Sequence, residues 1–263
     1  MATKFDARVV ERLERMYASP EIAEQRARTR AALAARPGER GLDIGCGPAF
    51  LACELARDVG AEGRIVGIDS SEDMLAAARA RVAREDLTDR IELRAGEATR
   101  LEFDAASFDF IAAVQVYLYV ADLDRALGET VRVLRPGGRL VVVDTDWDSC
   151  VWLTSDRDRH HRVITAGMAD YVNPHLPPQL PGLLRRAGLH FAHGVVIPIL
   201  TVRWEPGSFS VGMIDATKER AIRRGVPREE AEAWEADLRR RTGDGDYFFS
   251  LNRFLFVATK PAS

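Results

Sequence analysis

A short apolar segment that runs into two closely spaced glycines constrains this chain more than any other feature. The segment GLDIGCGPAF begins at Gly41, passes through Asp43 and reaches Gly45 and Gly47. Nucleotide-binding loops have this order, because glycines let the backbone approach a ligand closely. The same glycine pair can also form a tight turn that binds no ligand. The residues around the loop must decide between these two interpretations.

Extended and helical patterns alternate along the first 145 residues. This alternation predicts an α/β fold, a doubly wound and mostly parallel sheet with helices on both faces. Residues 6–35 are expected to be helical, ended by Pro37 and Gly38. The strands are expected at residues 41–44, 64–69, 91–98, 108–116 and 139–144.

The second half of the chain departs from this alternation. Residues 145–177 are of mixed character and rich in loop-forming residues. The remaining elements are expected as a helix at 178–189, a sixth strand at 190–200, two helices within 205–245 and a last strand at 247–260. Without an internal repeat or a linker, residues 1–263 are predicted to form one domain, with 145–177 and 205–245 as insertions.

The bulk composition favours a globular protein without a strong positive charge. The formal net charge is −3, which does not favour binding to nucleic acid or anionic lipid. No run of eighteen apolar residues and no apolar signal core is present, so no membrane association is expected. Three cysteines, Cys46, Cys53 and Cys150, form no CxxC pair, and their odd number fits a reducing compartment. We therefore expect a soluble, cytoplasmic protein.

The spacing of the glycines weakens a dinucleotide interpretation. A G-x-G-x-x-G loop counted from Gly45 places Phe50 where the third glycine belongs. Asp69 closes the second strand, where a carboxylate can accept hydrogen bonds from both hydroxyls of a ribose. The third strand ends in Gly96, Glu97 and Ala98. Because open α/β sheets bind ligands at the carboxyl ends of their strands, these residues favour a nucleoside that carries no pyrophosphate.

Three segments in order carry a resemblance to a known family. DIGCGPAF, GIDSSEDML and VRVLRPGGRLVVVD resemble the first motif, the ribose-binding segment and the fifth-strand region of class I S-adenosylmethionine-dependent methyltransferases. The likeness covers about residues 40–145, with Ala49 replacing a glycine that is common in the family. It implies a methyltransferase with a seven-stranded Rossmann-like sheet, an antiparallel last strand and S-adenosyl-L-methionine as cofactor.

The resemblance also implies which residues bind the methyl donor. Asp69 would bind the ribose, and Asp43 would orient the loop and the donor's ammonium, although Asp43 can also be a loop-capping carboxylate. Carboxylates suit a sulfonium cation, whereas a diphosphate needs a more positive site. The donor-binding residues implied by the family are Asp43, Gly45, Cys46, Gly47, Asp69, Ser70, Met74, Gly96, Glu97, Ala98, Gln115 and Arg26.

The N-terminal segment YASPEIAEQRARTRAAL resembles the lid helix of small-molecule members of the family, which implies a helical lid over residues 1–36. Tyr17, Gln25, Arg26 and Arg30 are in position to cover the site or to reach the donor's carboxylate. Arginines on an amphipathic helix are also commonly solvated.

The acceptor is expected to be a small molecule. The segment AAVQVYLYVAD lacks the Asn/Asp-Pro-Pro-aromatic signature of enzymes that methylate nucleobases or protein amides. The chain is similar instead to bacterial small-molecule methyltransferases, including the ubiquinone/menaquinone C-methyltransferase group. An apolar or aromatic acceptor suits the aromatic residues of the insertions, which can equally be core: Trp147, Trp152, Tyr171, Trp204 and Phe209.

Methyl transfer is an in-line displacement whose rate depends largely on alignment of the reactants. A hydroxyl or ammonium acceptor also needs a base, whereas carbon methylation needs an activated carbon, so O-, N- and C-methylation stay open. Tyr117 follows the fourth strand, where the family meets both donor and acceptor. The candidate catalytic residues are Tyr117, Asp144, Asp146 and His175, with His160 and His161 as further bases.

Asp144, Asp146 and Asp148 alternate along the chain, which would place them on one face of a strand. We interpret them as a solvated acid cluster and expect no metal. Two other functions stay open, namely a non-catalytic protein that binds the S-adenosyl ligand and an NAD-dependent oxidoreductase. The protein is expected to be a monomer or a homodimer that binds neither nucleic acid nor membrane.

Overall fold

The computed structural model describes the backbone of residues 7–262 and the side chains of residues 11–241 and 245–262. Seven strands form one sheet. They are β1 (Arg40–Ile44), β2 (Arg64–Asp69), β3 (Ile91–Ala95), β4 (Phe108–Val114), β5 (Leu134–Trp152), β6 (His190–Thr201) and β7 (Phe249–Thr259).

The strands lie in the order β3-β2-β1-β4-β5-β7-β6. Strands β1 to β5 pair in parallel, and β7 runs antiparallel between β5 and β6. The predicted fold class, with seven strands and an antiparallel last strand, is confirmed. Because the strand order reverses between β1 and β4, their carboxyl ends form the crevice in which open α/β sheets bind ligands.

Nine α-helices lie within the described residues. They are α1 (Ala7–Tyr17), α2 (Pro20–Leu33), α3 (Phe50–Asp58), α4 (Glu72–Arg84), α5 (Leu123–Val133), α6 (Arg157–Met168), α7 (Leu180–Arg186), α8 (Phe209–Arg223) and α9 (Arg228–Asp244). Short 3-10 turns occupy Tyr117–Tyr119 and Pro177–Gln179. Within residues 7–262, no helix is both long and apolar enough to cross a membrane.

Alternating side chains of the sheet face two hydrophobic clusters. Val141 packs with the helices α2, α3 and α4, whereas its neighbour Val142 packs with α5 and α7. A third cluster joins α1, α6, α8 and α9 to the far ends of β5 and β7. The sheet is thus covered on both faces as the alternation predicted, and the third cluster lies beyond the ligand-binding edge of the strands.

The segment expected to be helical over residues 6–35 forms two helices, α1 and α2, with a break between them. Ser19 adopts an extended conformation, with φ −62° and ψ 151°, and Pro20 opens α2. A proline has no N–H to donate to the preceding turn, so a continuous helix would lose a hydrogen bond there and clash with the ring. Asp6, where the predicted helix begins, lies outside the described residues.

Strand β5 is longer than predicted. It was expected at 139–144 but spans Leu134–Trp152, with a register shift between Asp146 and Val151. Val151 and Trp152 pair with Ser250 and Phe249 of β7, so this part of the expected loop has strand partners. Local sequence patterns at residues 145–152 do not predict this extension of β5, because its pairing partner lies about 100 residues later in the chain.

The third cluster is built around aromatic side chains. Trp152 packs edge-on against Trp234 at 5.7 Å and lies 4.6 Å from Phe249 between ring centres. Trp234 donates its indole N–H to Nδ1 of His160 over 3.0 Å. Burial lowers the pKa of His160 to about 4, so the imidazole is neutral and accepts this hydrogen bond at neutral pH. His160 thereby joins α6 to α9.

Asp237 holds α9 against the residues that directly follow β5. Its carboxylate accepts hydrogen bonds from the Thr154 hydroxyl at 2.7 Å and from the Ser155 N–H and hydroxyl at 2.8 Å each. Burial alone would raise the pKa of Asp237, but these hydrogen bonds and one from Arg240 lower it to about 2. The charged carboxylate therefore stabilises the position of α9 over the sheet.

We predict that Asp237→Asn lowers the free energy of unfolding by about 2 kcal/mol at pH 7. The native pKa lies below the unfolded value near 3.8, so this contribution is complete above pH 4 and is lost as the pH falls towards 2. Urea unfolding between pH 2 and 7 measures it. Glu232→Gln, an exposed change on the same helix, is the control and should alter stability little. Equal stabilities of wild type and Asp237→Asn at pH 7 would contradict the assignment.

Candidate functional site

The glycine loop leaves β1 in a conformation that requires glycine at its first turn. Gly45 has φ +66°, and a Cβ built on it would lie 2.5 Å from Cγ2 of Val116. Cys46 donates its N–H to the Ile68 carbonyl at 2.9 Å, which ties the loop to β2. Ala49, the departure from the family pattern, also has a left-handed φ of 61°. The loop therefore closes against both neighbouring strands and exposes backbone to the cavity beside it.

Asp69 holds this loop in place. One carboxylate oxygen accepts the Gly47 N–H and the other accepts the Ser71 N–H, each at 2.9 Å. Burial raises the pKa of Asp69, while the hydrogen bonds from Ser71, Gly47 and Ser70 act against that rise. Each oxygen keeps a further lone pair, so a diol can donate to the fixed carboxylate.

Asp43 differs from Asp69 because its carboxyl has less stabilisation for the charged form. The residue is 2% exposed, and its Oδ2 atom is buried without a hydrogen-bond partner. Burial, and then the charge of Asp69, raise the pKa of Asp43 to about 8. A buried carboxyl of this kind is stabilised in its charged form by a cationic group placed beside it.

Six of the predicted donor residues line one cavity, which lies between the glycine loop, α2 and the end of β4. They are Asp43, Gly45, Cys46, Gly47, Gln115 and Arg26. Gln115 stands at the end of β4 with a left-handed φ of 58°, and its Oε1 accepts the Thr145 hydroxyl at 2.7 Å. A non-glycine residue in this conformation stores strain, which is common at ligand-binding positions.

The other predicted donor residues lie along the neighbouring strand ends. Gly96 donates its N–H to the Asp69 carbonyl at 3.1 Å, and Glu97 and Ala98 follow in the turn after β3. Ser70 is exposed beside Asp69. Met74 is 3% exposed on α4, so it forms part of the support for this edge. Their roles in donor binding stay predictions.

Arginines predicted to reach the donor's carboxylate are already paired. Arg26 lines the cavity, but its Nε lies 2.9 Å from Glu54 and its Nη1 donates to the Tyr17 carbonyl. Arg30 binds Asp58 with two hydrogen bonds. Both carboxylates belong to α3, so these two arginines fasten α2 to α3 and their charges are compensated.

Arg253 is a residue of the cavity that sequence reasoning missed. It is 4% exposed on β7, donates from Nη1 to Gln25, lies 4.8 Å from the ring centre of Phe209 and makes no ion pair among the described residues. Its Nε atom is buried without a partner, and burial lowers the pKa of Arg253 to about 10. The sequence contained a signal for the burial of Arg253. Leu251 and Leu255 flank Arg253 on the same strand face and are buried.

Two of the predicted catalytic residues lie in the core instead of the cavity wall. The Tyr117 side chain is fully buried, and its hydroxyl lies 2.9 Å from that of Thr130. Asp144 is also fully buried, and burial raises its pKa well above the ordinary value, against hydrogen bonding from the N–H groups of residues 116–118. The catalytic role predicted for both has no supporting contact with the cavity.

Asp146 and His175, also predicted as catalytic, come together. Nδ1 of His175 lies 3.3 Å from Asp146 and 3.1 Å from Asp148. Ligand atoms of these three residues lie within 4.8 Å of one another, which is close enough to share a cation. Asp148 is 78% exposed in its side chain, and we interpret the group as a solvated polar cluster.

A second cavity, of about 640 Å³, is lined by residues 147–175, including Trp147, Tyr171 and His175. Trp147 stacks on Tyr171 with ring centres 4.8 Å apart, and Tyr119 lies 5.2 Å from Tyr171. Tyr17, which lines the first cavity, packs against the same hydrophobic cluster as Trp147 and Tyr171, and burial raises its pKa to about 12. This cluster therefore borders both cavities.

Comparisons with known proteins agree with this geometry. Residues 42–142 match the family described as "Methyltransferase domain". An uncharacterised 37.1 kDa protein in a transposon of Streptomyces fradiae is 36% identical over 231 residues, which are 86% of this chain and 64% of that protein. The demethylmenaquinone methyltransferase of Desulfitobacterium hafniense is 41% identical over 110 residues, 42% of this chain and 44% of the enzyme. The chain thus spans less than two thirds of each relative.

The fold has solved counterparts. A phosphoethanolamine N-methyltransferase from Haemonchus contortus, solved with S-adenosylhomocysteine, has a TM-score of 0.64 and 19% identity, over 99% of this chain and 59% of that one. This likeness concerns the fold. The matched domain over residues 42–142 and the demethylmenaquinone methyltransferase relative agree with the resemblance to the class I S-adenosylmethionine-dependent methyltransferases.

Proposed function

We propose that the protein is an enzyme that transfers a methyl group from S-adenosyl-L-methionine to a small aromatic or apolar molecule. The observation that carries this proposal is the buried, unpartnered carboxyl oxygen of Asp43 beside the glycine loop. A donor that carries a sulfonium and an ammonium places a positive charge beside Asp43 and so stabilises the charged form of its carboxyl. When bound, this donor provides the methyl group for displacement from a neutral thioether leaving group.

The ribose and the methionine tail of the donor have matching groups in the cavity or at the loop beside it. The fixed carboxylate of Asp69 suits the ribose hydroxyls, and the exposed backbone of Gly47 lets the ligand approach the loop. Arg253 suits the carboxylate of the methionine tail, because it lines the same cavity and makes no ion pair in the described part of the chain. A dinucleotide fits less well, since the cavity presents Asp43 where a diphosphate needs positive charge.

The acceptor side is proposed to come from the pieces outside the sheet. Trp147 and Tyr171 line the second cavity, and Tyr119 packs against Tyr171, so the three rings provide an apolar surface. Residues 1–36, 145–177 and 205–245 are proposed as lid and insertions that exclude water and set acceptor shape. The rate then depends on how well these residues hold the acceptor in line with the methyl group.

His175 lines the second cavity, and among the candidate bases there it is the one that has Asp146 within hydrogen-bond reach. We propose this pair as the proton acceptor for a hydroxyl or amine substrate. The acceptor is proposed to be a small metabolite rather than nucleic acid, in keeping with a net charge of −3. We propose a cytoplasmic protein that acts as a monomer or homodimer.

Donor binding tests the proposal and the role of Asp69 together. We expect calorimetry to show binding of S-adenosylmethionine and S-adenosylhomocysteine, and labelled donor to transfer its methyl group into a metabolite extract. Asp69→Ala should weaken donor binding by about 1–3 kcal/mol, because two ribose hydroxyls lose a charged acceptor. Asp73→Ala, an exposed change on α4, is the matched control. Binding of NAD without binding of either S-adenosyl ligand would overturn the assignment.

The buried carboxyl of Asp43, whose pKa is raised to about 8, predicts an unusual pH dependence of the stability of the ligand-free protein. The folded carboxyl keeps its proton up to about pH 8, whereas the unfolded one loses it near 3.8, so folding stability falls as the pH rises between these values. The decline reaches about 1.4 kcal/mol per pH unit at most. Asp43→Asn should therefore gain stability relative to wild type from pH 5 to 8 in urea unfolding. Parallel pH curves for the two proteins would contradict the raised pKa.

Trp147 should affect the acceptor and not the donor. We expect Trp147→Leu to reduce methyl transfer while donor affinity stays within about threefold, or about 0.65 kcal/mol. Trp204→Leu is the matched control, because Trp204 belongs to the same hydrophobic cluster but contacts Tyr247 and Arg239. Both changes should lower the thermal midpoint. Normal turnover and acceptor preference in a folded Trp147→Leu protein would count against this acceptor site.

A further inference from the structure

Three arginines at the C-terminal end of α8, Arg220, Arg223 and the following residue Arg224, have different partners. Arg223 and Arg224 pair with Asp170, at 3.4 Å and 2.5 Å. Arg220, one turn earlier, makes no ion pair within the described residues, and its Nη1 donates to the Tyr171 hydroxyl at 2.9 Å. Its Nε and Nη2 atoms are buried and lack hydrogen-bond partners. Buried guanidinium donors left in this state are costly, so a function that uses them is expected.

The two unpartnered atoms of Arg220 form one side of the guanidinium. Nε and Nη2 direct their N–H bonds in parallel, which is the fork that binds the two oxygens of a carboxylate or phosphate. Nη1, on the other side, is occupied by Tyr171. The hydrogen bond to Tyr171 thus leaves the oxyanion-binding edge free, and the Arg220 guanidinium also lies 5.2 Å from the Tyr171 ring centre.

Tyr171 links Arg220 to the second cavity, because it lines that cavity and its hydroxyl accepts the hydrogen bond from Arg220. Tyr119 lies 5.2 Å from Tyr171 between ring centres and keeps 37% of its surface exposed. The two rings therefore form an accessible surface beside Arg220. Tyr119 ends the 3-10 turn after β4, at the ligand-binding edge of the sheet, and both Tyr171 and Arg220 act on its hydroxyl.

Arg253 is a second arginine without an ion pair among the described residues, and it lies near the same tyrosines. Arg253 lines the donor cavity, and Tyr171 and Tyr119 both act on its charge. Asp144 is the carboxyl that acts on Arg253, but its own burial favours the protonated, neutral form. Asp170 is the carboxylate that acts on Arg220, but it is already paired with Arg223 and Arg224. Neither Arg220 nor Arg253 therefore has an ion-pair partner of its own among the described residues.

We propose that the methyl acceptor carries an oxyanion, a carboxylate or a phosphate monoester, which binds the Nε and Nη2 edge of Arg220 beside Tyr119 and Tyr171. This inference rests on the proposed function and narrows its substrate class to aromatic or apolar molecules that bear an acidic group. We call Arg220, Tyr119 and Tyr171 the anion subsite. Binding there would orient the apolar part of the acceptor towards the donor cavity.

Matched pairs of small probes test the anion subsite. Benzoate is compared with benzamide, and phenyl phosphate with phenol, by calorimetry and thermal shift on the full chain with and without saturating S-adenosylhomocysteine. We expect at least one anion to bind about tenfold more tightly than its neutral partner. The stronger of the two anions identifies the acidic group as carboxylate or phosphate.

Variants of α8 show whether Arg220 is responsible. Arg220→Gln should weaken binding of the anion by about tenfold and leave the neutral probe and S-adenosylhomocysteine within about threefold. Arg223→Gln, which loses an exposed pair with Asp170, is the matched control and should bind all probes normally. Arg220→Lys keeps the charge without the fork and should fall between, which preserves the test if Arg220→Gln does not fold.

Three results would overturn the proposal. These are equal binding of anionic and neutral probes, undiminished binding of the anion by a folded Arg220→Gln protein, and no binding of either anion in the presence or absence of S-adenosylhomocysteine. Failure of S-adenosylhomocysteine itself to bind, with the anion still bound through Arg220, would instead count against the proposed methyl transfer and leave the anion subsite supported.

Discussion

The hydrogen bonds from Gly47 and Ser71 to the Asp69 carboxylate are the contacts on which the rest of the site depends. They join the ends of β1 and β2 and fix the loop that a ligand must approach. The strand order reverses beside this loop, so the end of β4 opens towards the same cavity. Asp69 therefore organises the backbone and at the same time keeps lone pairs for a ligand.

Charged side chains that stabilise the fold have partners within the protein, whereas two of those proposed to bind a ligand have polar atoms that lack partners among the described residues. Arg26 and Arg30 are bound to carboxylates of α3, and Asp237 is surrounded by donors. Asp43 and Arg220, in contrast, have buried polar atoms without partners. Because desolvation of an uncompensated charge is costly, such residues persist where a ligand can supply the missing partner. The proposed donor is cationic near Asp43, and the proposed acceptor is anionic near Arg220.

Much of the first half of the fold was predictable from local patterns. Strand β2 was predicted with the bounds observed, and β1, β3 and β4 within a few residues, because buried parallel strands between helices have a strong sequence pattern. The segment predicted as helical over 6–35 does form helices, but the break before Pro20 was not predicted. The length of β5 was missed because its continuation to Trp152 depends on pairing with β7, about 100 residues later. Local propensity does not contain that partner.

By itself, the sequence determined the order of the strands along the chain, the glycine loop and the acidic residues at two strand ends, because these depend on short-range spacing and backbone conformation. Only the tertiary structure decided which charged groups lack a partner. It paired Arg26 with Glu54, placed Tyr117 in the core and brought Arg253, from the last strand, to the donor cavity. The physical reason is that burial and electrostatic compensation arise between elements far apart in the chain, and no local pattern specifies them.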